Sequence, residues 1–161
     1  MSEPASFRVS SVEEGAKVLE YFNGFHDGFM KRIGIESRDE ICEDLSQTCT
    51  GLFDVEADLA HYNYQMGAEP LGPHNQVVRA VFRNVQDIFF DLSEGFGGNT
   101  IIRLSIVSAN RRKGGEAATE QCLSLRLGRH FYLEAHRRYE FRESQLFTFT
   151  DATFVEQPLA H

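Results

Sequence analysis

Residues that could bind a ligand or take part in catalysis cluster where the predicted helix ends. His26 and Asp27 stand between two glycines, at the point where a helical pattern gives way to an alternating one. His61 follows Asp58 by three residues near the end of a long predicted strand, with Tyr62 beside it. Imidazole and carboxylate groups together can bind zinc, iron or nickel. The candidate binding residues are therefore His26, Asp27, His61 and Tyr62, and a metal, if one binds, would use the first three.

A structural role is the alternative that we favour for His26 and Asp27. A histidine after an apolar helix end can donate to a backbone carbonyl, and an aspartate before a glycine can accept backbone N–H groups in an Asx-turn. Both bonds would fix how the helix enters the sheet. In that case His26→Ala should lower the melting temperature, whereas a binding role should leave stability unchanged and abolish binding.

Other signatures of catalysis are missing from the sequence. It contains no Gly-x-Ser-x-Gly or His-Glu-x-x-His motif, and the glycine-rich segment 93–99 lacks the Gly-Lys-Ser/Thr of a phosphate-binding loop. His130, Glu134 and His136 are predicted on one strand face, a spacing that arises easily by chance in a chain with 6 His. The three cysteines form no Cys-x-x-Cys pair. The sequence predicts no cofactor; it leaves enzymatic activity open and favours its absence.

The size, composition and charge of the chain indicate which kinds of molecule it could bind. The 161 residues suit a single domain, and 42% are hydrophobic, enough to build a core. The net charge is −8, with 14 acidic and 5 basic residues in 1–70 against 10 acidic and 11 basic residues in 71–161. A negative field disfavours nucleic acid and favours a basic protein partner, or it simply maintains solubility. We expect no nucleic-acid partner, and the sequence leaves a homodimer open.

Hydropathy predicts a cytoplasmic location. The first eleven residues contain no apolar stretch of the signal-peptide type, and no apolar run approaches the roughly 20 residues that span a bilayer. We therefore expect no membrane association and a reducing compartment.

Periodicity predicts one helix followed by strands. Ser11 and Glu14 form a capping box for a helix over about 12–22, which Asn23-Gly24 ends. Residues 1–10 are predicted to be a flexible tail, and the acidic segment 38–47 to be a loop. Residues 110–116 are predicted to be an exposed hairpin loop.

The clearest alternation lies in residues 49–64. Asp54, Glu56 and Asp58 share one face of this predicted strand, and Arg79 and Arg83 share a face of the next. If the two strands pair antiparallel, the arginines lie across from the carboxylates, and each such pair stabilises by roughly 0.2–1 kcal/mol. We prefer this structural explanation to a ligand site.

Strands joined by short turns favour antiparallel pairing, because parallel strands need long crossovers. The predicted class is α+β, mainly β: a curved antiparallel meander sheet or sandwich of six to eight strands with one N-terminal helix, in a single domain over 1–161.

Two short motifs carry a family resemblance. Phe25-His26-Asp27-Gly28 before an alternating strand resembles the opening Phe-His-Asp pattern of small bacterial immunity proteins associated with polymorphic toxins. The likeness continues with Val81, Phe82, Asn84, Val85, Asp87 and Ile88. The N-terminal helix and the segment 111–115 have no counterpart in that pattern. The resemblance implies a non-catalytic protein that blocks a toxin, and it supplies no functional residues.

Three hypotheses follow. The first is a binding protein, immunity-like in form, that acts through a protein interface, where an acidic surface suits a basic toxin. The second is a curved sheet or barrel that binds a small molecule in a cavity lined by Phe, Tyr62, Tyr64 and His130. The third is a metal-dependent enzyme that uses His26, Asp27 and His61.

Overall fold

The computed structural model describes residues 4–62, 75–90, 100–113 and 118–157, with the backbone alone for residues 61, 62, 75 and 76. This part of the chain contains one α-helix, α1 (Val12–Tyr21), and two short 3-10 turns, Asn23–Phe25 and Glu134–His136. Its ten strands are β1 (Ser6–Val9), β2 (Phe29–Ser37), β3 (Glu40–Ile41), β4 (Gln47–Thr48), β5 (Phe53–Tyr62), β6 (Asn75–Val85), β7 (Arg103–Arg112), β8 (Thr119–Leu133), β9 (Arg138–Phe149) and β10 (Asp151–Glu156).

The strands form two main antiparallel sheets. The larger sheet has the order β1-β10-β6-β5-β2, and the smaller one has the order β7-β8-β9. β3 and β4 pair with each other as a separate ribbon. The predicted mainly β class with antiparallel pairing is confirmed, and the described strands do not close into a barrel.

The helix begins and ends where the sequence predicts. Ser11 caps it by accepting a hydrogen bond from the Glu14 backbone at 3.2 Å, while the Glu14 carboxylate accepts from the Ser10 backbone at 2.7 Å. Gly24 follows in the left-handed region with φ 62°. Gly15 packs against β7 so closely that an added Cβ would lie 3.0 Å from the Cβ of Ile106. The glycine therefore permits the helix to approach the smaller sheet.

The core lies between the two sheets and is rich in phenylalanine. Phe82 of the larger sheet makes edge-to-face contacts with Phe147 and Phe149 of the smaller one, with ring centroids 4.9 and 5.1 Å apart. All three rings are buried. Edge-to-face geometry brings the positive edge of one ring to the negative face of the next, which adds to the gain from burial.

After β6 the chain crosses to the edge of β9. Gln86 and Thr148 exchange two backbone hydrogen bonds of 3.0 and 2.9 Å, and the Phe89 N–H donates to the Leu146 carbonyl at 2.7 Å. Asn84 and Asp87 both adopt positive φ there, 53° and 54°. This backbone contact joins the two sheets at one end of the molecule.

Several sequence predictions require correction. The predicted tail over 1–10 is wrong for Ser6–Val9, which pair with β10 and bury Val9. The predicted loop over 110–116 is wrong at its start, because Asn110 to Arg112 belong to β7 and Arg111 is buried. The predicted acidic loop over 38–47 is wrong at β3 and at Gln47, the first residue of β4.

A bulge in β2 changes which side chains of this strand face the core. The pairing of β2 with β5 shifts register between Met30 and Arg32. Met30 is consequently buried and Arg32 points to the outer surface, although strict alternation places positions 30 and 32 of a strand on one face. Bulges insert one residue and invert the alternation that follows.

Candidate partner-binding surface

The turn that contains His26 and Asp27 is held by its backbone. The Asp27 N–H donates to the Ile101 carbonyl at 2.9 Å, and the Ile101 N–H donates to the Gly28 carbonyl at 2.8 Å. An added Cβ on Gly28 would lie 2.4 Å from the Ala60 carbonyl oxygen. A side chain at position 28 therefore does not fit beside the end of β5.

The His26 and Asp27 side chains form a pair at the surface. Nδ1 of His26 lies 3.2 Å from Oδ2 of Asp27, and each side chain is about half exposed, at 49% and 47%. Exposed pairs of this kind contribute little to stability. The backbone bonds and the buried Phe25 ring hold the joint between the helix and the sheet.

The fold brings the predicted site residues to one corner. Phe29 pairs with Ala60, so the turn before β2 lies beside the end of β5, where His61 and Tyr62 follow. The side chains of His61 and Tyr62 lie outside the described residues, as does all of Tyr64. Among the described side chains, no group of three His, Cys, Asp or Glu residues is arranged to hold a metal ion.

The second predicted histidine cluster is separated by the fold. His130 lies in β8, whereas Glu134 and His136 lie in the 3-10 turn that follows this strand. The prediction that all three share one strand face is wrong, because the strand ends at Leu133 before it reaches them.

The predicted acidic ladder is confirmed as an ion-pair network. Asp58 lies directly across from Arg79, and its two oxygens lie 3.0 Å from Nε of Arg79 and 2.9 Å from Nε of Arg32. The hydrogen bond from Arg79 is the main cause that lowers the pKa of Asp58, although burial opposes it. Asp54 pairs with Arg83 at 2.6 Å. These two carboxylates therefore form ion pairs with arginines of neighbouring strands.

Residues 38–50 form an exposed projection, which we call the acidic ribbon. It consists of β3, β4 and the turn between them. Asp39 anchors its base by accepting hydrogen bonds from the backbone N–H groups of Thr50 and Gly51, at 2.6 and 3.3 Å. These bonds, led by the one from Thr50, lower the pKa of Asp39. The turn is closed by Asp44, which accepts from the Ser46 N–H at 3.0 Å.

Two large apolar side chains stand exposed on the acidic ribbon. Ile41 is 72% exposed and Leu45 is 83% exposed, the highest values among the described large hydrophobic residues. Glu40 and Glu43 lie beside them and form no ion pair within the described part of the chain. Apolar anchors surrounded by a charged rim are the usual anatomy of a protein interface.

A cleft of about 900 Å³ opens at the base of the acidic ribbon. Its lining combines apolar and polar side chains, among them Ile35, Phe53, Ile88, Asp87, Asn110 and Arg112. Ile35 is 48% exposed on this side of β2. The ribbon and the cleft together present apolar contact area beside Glu40 and Glu43, whose carboxylates form no ion pair among the described residues.

The core offers little room for a small molecule. Between the sheets, the cavity lined by Met30, Phe82 and Phe147 has a volume of about 10 Å³. Drug-sized ligands need roughly 300–1,000 Å³. His130 is exposed rather than directed into this cavity. The described core therefore gives no support to the small-molecule hypothesis.

The three cysteines differ in burial. Cys122 is buried, and burial is the main cause that raises the pKa of its thiol, which disfavours the nucleophilic thiolate. Cys42 and Cys49 are exposed and unpaired on the acidic ribbon.

Among the described residues, no helix is both long and apolar enough to cross a membrane. No protein-family model, curated protein or solved structure matches this chain. The candidate function therefore rests on the surfaces that the fold itself presents.

Proposed function

We propose that this chain is a non-catalytic binding protein whose acidic ribbon contacts a basic protein partner. The observation that carries the proposal is the exposure of Ile41 and Leu45, 72% and 83%, among carboxylates. Burying these two side chains supplies apolar contact energy, since a fully buried Leu or Ile contributes roughly 1.5–3 kcal/mol. Glu40 and Glu43 supply attraction for a basic surface and discriminate against acidic ones.

The charge of the whole chain supports the same class of partner. A net charge of −8 accelerates encounter with a basic protein and repels nucleic acid. The resemblance to immunity proteins of polymorphic toxins gives this proposal its specific form, in which the basic partner is a toxin. The three unpaired cysteines suit a reducing cytoplasm, where we place the chain.

Binding measurements on the basic proteins encoded beside this chain test the proposal. Each candidate is titrated with the wild-type chain, with Ile41→Ser/Leu45→Ser and with Glu40→Lys/Glu43→Lys. We expect the first variant to lose at least roughly tenfold in affinity, the loss for one or more buried anchors. The second should bind more slowly and show a weaker dependence on salt.

Matched control variants distinguish an effect of the acidic ribbon from a general effect of changing surface hydrophobicity or charge. Val12→Ser removes an exposed apolar side chain from the helix, and Glu13→Lys reverses a charge there. Both should bind like the wild type. Equal loss in the control and ribbon variants, or no binding to any neighbouring basic protein, contradicts the proposal.

A further inference from the structure

β8 and β9 are joined in a hairpin over residues 129–142, which we call the basic hairpin. It consists of the end of β8, the 3-10 turn Glu134–His136 and the start of β9. Four arginines and two glutamates give it a formal charge of +2, in a chain whose net charge is −8. At its tip, His136, Arg137 and Arg138 are exposed. The basic hairpin therefore has the opposite sign of charge to the molecule as a whole.

Aromatic side chains cover one face of the basic hairpin. His130 lies opposite Phe141 and Tyr132 lies opposite Tyr139, with ring centroids 6.0 and 5.2 Å apart. Tyr132, Tyr139 and Phe141 are 49%, 53% and 42% exposed. Tyrosine, phenylalanine and arginine are enriched where proteins bind one another, and large rings supply contact area at a low cost in side-chain entropy. This face therefore has the composition of a protein interface.

Two contacts hold the aromatic face in place. The Phe141 ring packs on Gly128, where an added Cβ would lie 2.5 Å from a ring carbon, and the Arg103 guanidinium lies 5.3 Å from the ring centroid. Arg103 is itself held by Glu143 at 3.3 Å. A surface that is ordered before it binds loses less conformational entropy on binding. The aromatic face is therefore pre-organised for contact with another molecule.

The basic hairpin and the acidic ribbon lie at opposite ends of β2. The Ile102 N–H donates to the Gly128 carbonyl, next to the start of the hairpin, at 3.0 Å. The adjacent Ile101 N–H donates to the Gly28 carbonyl, just before β2, at 2.8 Å. The ribbon begins at Arg38, directly after β2, and the nine residues of this strand span about 30 Å. A ribbon therefore meets a basic hairpin on another copy of the chain rather than on its own.

We propose that copies of this chain associate head to tail, with the acidic ribbon of one copy seated on the basic hairpin of the next. Residues 38–50 of the ribbon include four acidic residues and one arginine, a formal charge of −3 against the +2 of the hairpin. In this arrangement the exposed Ile41 and Leu45 are buried against the aromatic rings. Glu40 and Glu43 lie beside the arginines of the hairpin tip. Apolar burial then supplies contact energy, and charge complementarity selects the orientation.

Head-to-tail contact uses two different surfaces, so it leaves one ribbon and one basic hairpin uncovered at the ends of every assembly. Contacts of this kind extend into an open series of copies instead of stopping at a dimer. A covered ribbon does not bind a basic protein, so a second copy competes with the partner of the proposed function. This competition rests on the proposed function, whereas the self-association is tested without any partner.

Sedimentation velocity of the full chain over a concentration series tests the proposal. The wild type should give a sedimentation coefficient that rises past the dimer value, and added salt should lower it because the charges are screened. Ile41→Ser/Leu45→Ser alters the ribbon, and Arg137→Glu/Arg138→Glu alters the hairpin. Each variant alone should lose at least roughly tenfold in self-association affinity.

A mixture of the two variants distinguishes head-to-tail contact from a symmetric one. The mixture contains one intact ribbon, on the hairpin variant, and one intact hairpin, on the ribbon variant, so it should form a dimer and stop there. Exchanging the charges within one chain, in Glu40→Lys/Glu43→Lys/Arg137→Glu/Arg138→Glu, should restore association, since the two surfaces are again opposite in sign.

Arg8→Glu/Lys17→Glu is the matched control, because it changes the net charge as much as the hairpin variant does, at two exposed positions outside both surfaces. It should associate like the wild type, and far-UV circular dichroism verifies that each variant is folded. A wild type that stays monomeric, or that stops at a dimer, overturns the proposal. So does a hairpin variant that associates like the wild type, or a mixture that stays monomeric. A monomeric wild type that still binds a neighbouring basic protein would overturn this inference and leave the proposed function standing.

Discussion

Gly28 is the residue on which the helix-to-sheet joint depends most. An added Cβ would lie 2.4 Å from the Ala60 carbonyl oxygen and 2.9 Å from that of Phe25. Both contacts are with backbone atoms, which cannot rotate away. The two ionisable neighbours that attract attention in the sequence, His26 and Asp27, form instead a half-exposed pair.

We predict that Gly28→Ala lowers the free energy of unfolding by about 3 kcal/mol, the upper end of ordinary single-residue effects. The matched control is Gly34→Ala in β2, where the nearest atom to an added Cβ is the Glu56 carbonyl oxygen at 3.9 Å. The control should change stability by less than about 0.5 kcal/mol. Urea unfolding of both variants checks this prediction, and equal effects of the two substitutions would contradict it.

Asp58 supplies a prediction about pH. Its pKa is lowered chiefly by the hydrogen bond from Arg79. Because the folded pKa lies below the unfolded value of about 3.9, the stabilisation is present above about pH 4 and is lost as the pH falls through the folded pKa. Asp58→Asn should therefore cost roughly 1.5–3 kcal/mol at neutral pH, the range for a hydrogen bond to a charged group.

Acidification should accordingly lower the free energy of unfolding of Asp58→Asn less than that of the wild type. Urea unfolding of both proteins at neutral and at acid pH measures this difference. Glu13→Gln is the control, since Glu13 pairs with Lys17 at the surface with its side chain 80% exposed. It should follow the wild-type pH dependence. An Asp58→Asn variant with the wild-type pH slope would show that this carboxylate is not coupled to folding.

At the scale of elements, Arg111 links the two sheets. Its side chain is 2% exposed, and Nε lies 2.7 Å from the Glu120 carboxylate within the smaller sheet. Nη1 donates to the backbone carbonyl of Asn84, at the end of the larger sheet. The sequence places this residue in a run of three basic residues, which is more typical of a solvated turn.

We predict that Arg111→Ala lowers the free energy of unfolding by roughly 3 kcal/mol, since it leaves a partly buried carboxylate without its partner. Arg112→Ala, at the adjacent exposed position, should change stability by less than about 0.5 kcal/mol. Thermal or urea unfolding of the two variants makes the comparison. If both arginines prove equally dispensable, Arg111 does not join the sheets energetically.

At the scale of the whole molecule, β2 separates the two surfaces that the sequence and the structure single out. Arg38, at the base of the acidic ribbon, donates a hydrogen bond to the Asn84 side chain at the end of β6. The turn that carries His26 and Asp27 precedes Phe29, which begins β2 and pairs with Ala60 near the end of β5. The acidic ribbon and this turn therefore lie at opposite ends of β2.

The sequence by itself determined the elements whose causes are local. Ser11, Glu14 and Gly24 fix the ends of α1 through hydrogen bonds and a positive φ within a few residues. Alternation in β5 and β6 predicted that Arg79 and Arg83 pair with the carboxylates opposite, because an antiparallel register that aligns Asp58 with Arg79 also brings Asp54 close to Arg83. The mainly β class follows from the same period of two.

Only the tertiary structure decided the rest. The burial of Arg111 and the exposure of Ile41 depend on which segments, distant in sequence, pack over each residue. The residues next to them in the sequence do not predict that packing. The bulge at Met30 is likewise set by the partner strand, since one extra residue leaves the alternation on either side of it unchanged. The sequence predicted the turn that carries His26 and Asp27. The close contact between the Gly28 backbone and Ala60 in this turn forms only when β2 and β5 pair.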